Sequence, residues 1–264
     1  MLIIRLFDPI ESFAFYFPSR EPFDNPRGVT DVWFTGKSGG KLHGWLLLPR
    51  ESEGPPPAVL HVHGNAGNVS SHLDFSRFLV DRGFAVFIFD YRGYGRSDPA
   101  ASGLSRAALM DDTRAALNAL LARPEIDPTR VAVYGVSIGN AFSTRLAAER
   151  PEIRAVVAAA PFSGWRRIAH THAPLLGAAL IRGGMDPIDS CTALGRRPLL
   201  LIHGQEDTIV PPAESARIER VAAKAGVAVT RLVVPGVGHN DIVYASHTTK
   251  EAMVAFLERA LAKP

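Results

Sequence analysis

Short apolar runs alternate with amphipathic stretches along most of the chain. Val29–Phe34 and Leu42–Leu48 have strand length and flank Gly36, Gly39 and Gly40, which predicts a hairpin at the edge of a sheet. After the turn-forming Glu51-Ser-Glu-Gly-Pro-Pro-Pro57 the rhythm changes. Ala58–His61, Ala85–Phe89, Val131–Tyr134, Ile153–Ala159, Leu199–His203 and Arg231–Val234 read as buried strands. Helical spacing covers Ser71–Arg82, Leu104–Ala122, Ile138–Glu149, Ala213–Ala225 and Thr248–Ala262. Strands alternating with helices predict an α/β fold: a mostly parallel central sheet of about eight strands, with helices on both faces. Two further helices, Trp165–Thr171 and Pro174–Arg182, would form a short cap-like segment at about 162–197 within a single domain spanning 1–264. The aromatic cluster Phe13, Phe15, Tyr16 and Phe17 follows neither a strand nor a helix period.

Composition narrows the possibilities. With 264 residues, 47% hydrophobic and 21% charged, the chain suits one large soluble domain. The formal charge is +3, and Lys and Arg are scattered with no stripe to track a phosphate backbone, so nucleic acid is not an expected partner. The single cysteine, Cys191, rules out an internal disulfide or a thiolate metal site and reads as a small buried apolar residue. The apolar start of the chain is interrupted by Asp8, Pro9 and Glu11 where a signal peptide would stay apolar. No other run is long enough to span a bilayer. A cytoplasmic protein with no integral membrane segment, monomer or homodimer, is therefore expected.

In parallel sheets, ligands gather beyond the carboxyl ends of the strands. Here polar or glycine-rich motifs follow strand after strand. They are His61-Val-His-Gly-Asn-Ala-Gly-Asn68, Asp90-Tyr-Arg-Gly-Tyr-Gly95, Gly135-Val136-Ser137-Ile138-Gly139, Pro161-Phe-Ser-Gly-Trp165, and the segments holding Asp207 and His239.

The Gly-x-Ser-x-Gly pattern makes Ser137 a candidate nucleophile on a sharp strand-to-helix turn, where a Cβ at either glycine would clash. The pentapeptide alone recurs by chance; its place at a strand end sets it apart. A serine hydroxyl needs a base beside it. His239 is the candidate base, and Asp207 the acid that would orient and stabilise its imidazole, with Glu206 as a rival one residue earlier. Backbone N–H groups of Ile138 and Asn65 are the candidate oxyanion donors.

These motifs resemble those of the α/β-hydrolases, and within them the Bem46-like serine hydrolases. The match is carried by His63-Gly-Asn-Ala-Gly-Asn68, Asp90-Tyr-Arg-Gly-Tyr-Gly-Arg-Ser97, Tyr134-Gly-Val-Ser-Ile-Gly139, His203-Gly-Gln-Glu-Asp-Thr-Ile-Val-Pro-Pro212 and Gly238-His-Asn-Asp241. The resemblance runs from about Val29 to the end of the chain. It implies an α/β-hydrolase fold and Ser–His–Asp chemistry. Asn140 departs from the pattern, standing where such hydrolases usually carry Gly or Ala, which would bring an amide beside the nucleophile. The membrane-spanning helix of some relatives is not legible here, so no lipid-anchored role is expected.

Other residues have plainer readings. His63 is expected to shape its turn. His61, His63, His170 and His172 lack a carboxylate at ligand spacing, so neither a metal nor a cofactor is expected. Asp90 and Arg92 would brace a loop, Asp111 and Asp112 would lie on a solvated helix face, and Asn240 or Asp241 would cap the last helical segment. Phe162, Trp165, Leu175, Leu176 and Ile209 are candidate walls of an apolar pocket for an acyl chain or aromatic ester. The expected activity is hydrolysis of a small-molecule carboxylic ester through an acyl-enzyme. A thioesterase, an acyltransferase on the same triad, or a non-catalytic binding protein on a hydrolase scaffold remain alternatives.

Overall fold

The central strand-like runs are apolar at nearly every position because both faces of the sheet they form are covered. A computed structural model describes residues 4–37, 39–101, 103–242 and 247–263. Residues 1–3, where the apolar amino terminus begins, lie outside the described residues. In chain order the elements begin with α1 (Ile4–Phe15), β1 (Phe17–Pro18), β2 (Val29–Thr35), β3 (Lys41–Leu47), β4 (Ala58–Val62), β5 (Ala66–Gly67) and α2 (Val69–His72). Two 3₁₀ turns, Leu73–Phe75 and Arg77–Arg82, lead to β6 (Ala85–Phe89), α3 (Arg106–Leu121), β7 (Val131–Val136), α4 (Gly139–Glu149) and β8 (Ile153–Ala159). Then come α5 (Trp165–His172), α6 (Gly177–Leu180), α7 (Pro187–Thr192), β9 (Leu199–Gly204), α8 (Ala213–Lys224), β10 (Val229–Val234) and α9 (His247–Ala260).

Eight strands pair in the order β10-β9-β8-β7-β4-β6-β3-β2. The hairpin strands β2 and β3 are antiparallel, as are β3 and β6; every other pairing in this sheet is parallel. Separately, β1 and β5 make a two-residue parallel pairing with Phe17 opposite Ala66.

Side chains alternate across each strand. In β7, Val131 and Val133 join one core with Leu117 and Phe142, while Ala132, Tyr134 and Val136 join the other with Met253 and Leu257. In β6, Phe87 and Phe89 face the first core and Val86 and Ile88 the second. Each large apolar side chain so buried contributes about 1.5–3 kcal/mol, which makes the central strands the most strongly specified part of the chain. Cys191 is buried as expected, and burial pushes its thiol up to about 12.

Several expectations need correction. The helix read at Ser71–Arg82 is broken into α2 and two 3₁₀ turns. Ser76 departs from helical geometry (φ −133°), and its hydroxyl meets His61 Nδ1 of the central strand β4 at 2.8 Å. The cap helix read at Pro174–Arg182 is only Gly177–Leu180, and α7 appears instead where Asp186 is followed by Pro187. The amino-terminal residues form α1, which their pattern did not predict because Pro9 stands inside it. Asp112 is not on a solvated face: it is fully buried and receives both ends of the Arg92 guanidinium. The described part of the last helix begins at His247, and the residues that would join it to Asn240 and Asp241 lie outside the described residues, as does any cap there. Among the described residues, no helix is long and apolar enough to cross a membrane.

Candidate active site

Ser137 sits between the end of β7 and the start of α4. Its φ is +52°, in the left-handed region that residues with a Cβ seldom occupy. Strain of this kind persists only where the surroundings enforce it, and here the enforcement is visible. A Cβ at Gly135 would overlap the Ser143 hydroxyl, and one at Gly139 would overlap the carbonyl of Val62 in the adjacent strand. The Ser137 N–H donates to the Ala159 carbonyl at 3.0 Å. Asn140 is fully buried, and its amide nitrogen donates to the carbonyls of Ser137 (2.9 Å) and Ala159 (2.8 Å). The amide thus lies behind the turn and ties it to β8.

His239 and Asp207 converge on this serine from loops after β10 and β9. His239 Nε2 lies 3.0 Å from Ser137 Oγ, and its Nδ1 lies 2.7 Å from Asp207 Oδ2. The other oxygen of Asp207 accepts the N–H groups of Ile209 (3.0 Å) and Val210 (2.7 Å). Burial pushes the Asp207 carboxyl up, but hydrogen bonds from His203, His239 and the Val210 N–H outweigh it. They hold the group well below the usual carboxylate range. Glu206 is exposed, whereas Asp207 is buried. His203 has no role legible in the sequence beyond its place at the head of its motif. Its Nε2 is 2.8 Å from the Val210 carbonyl and 3.3 Å from Asp207 Oδ2, so it braces the acid's loop.

The loop holding Asn65 is pinned through its carbonyls. Tyr91 Oη donates to His63 O (3.1 Å), His63 Nδ1 to Gly64 O (2.8 Å), Tyr94 Oη to Asn65 O (2.8 Å) and His72 Nε2 to Ala66 O (2.8 Å). Because a trans peptide points its N–H opposite its C=O, the bond to Gly64 O turns the Asn65 N–H away from His63. Gly64 brings the loop close: a Cβ there would stand 3.8 Å from Ser137 Cβ. Burial keeps the His63 imidazole far below its ordinary pKa, hence neutral, and its ring stacks on His72 with centroids 4.9 Å apart. Asp90 accepts the Val69 N–H at 2.9 Å and the Arg96 N–H at 3.2 Å, and lies 3.0 Å from His43 Nδ1, so it braces the loops beside the site.

Two cavities open beside Ser137. Asn65, Ser137 and Ile209 line both. Phe162 and Ile138 line the smaller. Trp165 lines neither; it is fully buried behind Phe162, with ring centroids 4.9 Å apart. Leu175 and Leu176 also line neither. They are 95% and 63% exposed, because the α5–α6 connection carries them outward. The cap's inner face is instead Ile168 and His172 of α5, with His172 Nε2 donating to the Ile209 carbonyl at 2.8 Å. Ala14 and Phe15 of α1 form part of the same wall. The only forewarning in the sequence was an aromatic cluster without a period. Of the four histidines weighed as metal ligands, His61 meets Ser76, His63 stacks on His72, His170 is exposed and His172 meets the Ile209 carbonyl. Among the described residues, no group of three or more His, Cys, Asp or Glu is disposed to hold a metal ion.

Residues 71–264 match the prolyl oligopeptidase family, and residues 24–110 match acetyl xylan esterase. The uncharacterized protein YfhR of Escherichia coli K12 is 34% identical over 94% of this chain and 87% of its own length. Protein bem46 of Schizosaccharomyces pombe is 33% identical over 65% of this chain and 58% of its own. Among solved structures, an esterase from Pyrococcus furiosus superposes with a TM-score of 0.78 at 22% identity, covering 94% of this chain and 99% of that one. At that identity the likeness is one of fold.

Proposed function

The chain belongs to the prolyl oligopeptidase family of α/β-hydrolases, and on that premise we propose that it is a serine hydrolase of carboxylic esters. The observation that carries the reading is the relay Ser137 Oγ–His239 Nε2–His239 Nδ1–Asp207, at 3.0 and 2.7 Å, ending on a serine held at positive φ. The ester preference is supported by the acetyl xylan esterase match over residues 24–110 and by the fold likeness to an esterase.

In this reading Ser137 Oγ attacks the ester carbonyl carbon while its proton passes to His239 Nε2. Asp207 stabilises the resulting imidazolium without taking the proton. The negative charge on the carbonyl oxygen is met by the N–H groups of Ile138 and Asn65. The intermediate collapses, the bond from carbon to the leaving oxygen breaks, and His239 gives its proton to that oxygen, releasing the alcohol. Water then attacks the acyl-enzyme, losing a proton to His239. Breakdown returns that proton to Ser137 Oγ and frees the carboxylic acid.

The test uses p-nitrophenyl acetate and butyrate with a fluorophosphonate probe. Hydrolysis and one-to-one labelling are expected of the native protein. Ser137→Ala should abolish labelling and lower kcat by about 10⁶-fold. Unchanged turnover in that variant ends the proposal, and absence of labelling points to a binding protein on this scaffold. A panel including acyl thioesters and added alcohols separates the thioesterase and acyltransferase readings.

A further inference from the structure

The two cavities beside Ser137 differ in size and in what else lines them. The larger, about 540 Å³, carries polar groups: Ser71, His72, His239 and Asn240, together with Phe75. The smaller, about 190 Å³, is walled mainly by apolar side chains: Ala14, Phe15, Phe162, Ile168 and Val210. His239 borders only the larger, and Ile138 only the smaller.

If Ser137 is the nucleophile, this asymmetry sorts the two halves of the substrate. The leaving oxygen must come within hydrogen-bond reach of His239 Nε2 to receive its proton. The leaving group therefore extends into the cavity that His239 borders. The carbonyl oxygen is held between the donors at Ile138 and Asn65. The acyl chain, on the other side of the reacting carbon, then enters the cavity that Ile138 borders.

Resting on that reading, we propose that the cavity between α1, α5 and Phe162 is an acyl pocket that admits only short chains, and that the substrates are short-chain acyl esters of large polar alcohols. The smaller cavity has about a third of the volume of the larger, about 190 against about 540 Å³, which suits a short acyl chain. Two of its walls are braced from behind. Phe15 and Phe162 both meet the Trp165 ring edge-on, at 5.2 and 4.9 Å between centroids, and the Trp165 indole N–H donates to the Met185 carbonyl at 3.0 Å. The larger cavity suits a bulkier group, such as a sugar or similar alcohol. The exposed Asn240 amide offers it hydrogen bonds.

The experiment measures kcat/KM of the full chain on p-nitrophenyl acetate, butyrate, hexanoate, octanoate, laurate and palmitate. A maximum at hexanoate or shorter is expected, falling about tenfold or more by octanoate. Phe15→Ala should raise the octanoate-to-butyrate ratio about tenfold. Ile168→Ala, on the facing wall, should do the same and stands in if Phe15→Ala does not fold. Leu175→Ala, outside both cavities, should leave the ratio unchanged. For the leaving group, Asn240→Ala should raise KM for a peracetylated sugar severalfold more than for ethyl acetate. A wild-type maximum at octanoate or beyond, or a ratio unmoved in folded Phe15→Ala and Ile168→Ala, overturns the acyl-pocket assignment. An equal effect of Asn240→Ala on both acetates overturns the leaving-group assignment. Either result, with fluorophosphonate labelling intact, leaves the serine hydrolase reading standing; loss of labelling in the native protein sinks both.

Discussion

Arg106 and Glu11, 95 residues apart in the chain, form a buried two-pronged ion pair, with Nε donating to Oε1 at 2.8 Å and Nη2 to Oε2 at 2.6 Å. Tyr16 Oη donates to the same carboxylate at 3.0 Å. The remaining Arg106 bonds reach the carbonyls of Arg182 and Gly184 in the cap, and the guanidinium lies 4.4 Å from the Trp165 ring centroid. One cation therefore holds α1, α3 and the cap in one arrangement, with Phe15 against Trp165.

Removing one partner of such a pair leaves the other charged and buried, at a cost of about 3–5 kcal/mol. Glu11→Ala is expected to lose about that much stability in urea unfolding. A loss below about 1 kcal/mol would mean that α1 is held by apolar contact alone.

Asn140 makes a separate prediction. Its amide satisfies two buried carbonyls behind Ser137, so Asn140→Ala should destabilise by about 1–3 kcal/mol. Because those bonds hold the turn and not the substrate, kcat should fall more than KM rises. A variant with native stability and altered KM alone would place the amide in substrate binding.

Gly139 packs against the Val62 carbonyl, a backbone atom that cannot swing aside. Gly139→Ala should cost about 1–3 kcal/mol through overpacking, and fluorophosphonate labelling should slow at temperatures where the variant is folded. Native labelling rates would show that the turn accommodates a methyl group.

Asp207 predicts a dependence on pH. Its carboxyl is depressed in the folded state, so it stabilises the fold above its unfolded value, about 3.9, and that stabilisation is lost as pH falls through the folded value. The stability gap between the native protein and Asp207→Asn should be full at pH 7 and begin to close below about pH 4. At pH 7 the variant should lose about 10⁴-fold in kcat through the wrong imidazole tautomer. A gap independent of pH would mean that the carboxylate contributes nothing by its charge.

The sheet was legible because burial on both faces writes itself locally: β6 is apolar from end to end and β8 at every position but Arg154, and their bounds in the structure are those the pattern implied. Ser137, Asp207 and His239 were legible for a related reason, since each follows a strand and so had to lie on one rim. Tertiary contacts decided what local pattern could not. Pro9 argues against a helix, yet α1 is held by Arg106 from a distant helix, and Phe15 thereby becomes a wall beside Ser137. Asp112 looks solvated by helical spacing until Arg92 from another strand end neutralises it in the interior. Leu175 and Leu176 read as pocket walls by hydrophobicity, but the α5–α6 connection turns them to solvent. Periodicity along the chain thus determined the layers and the order of the chemistry. Charge pairing and side-chain direction across distant segments decided which residues enclose it.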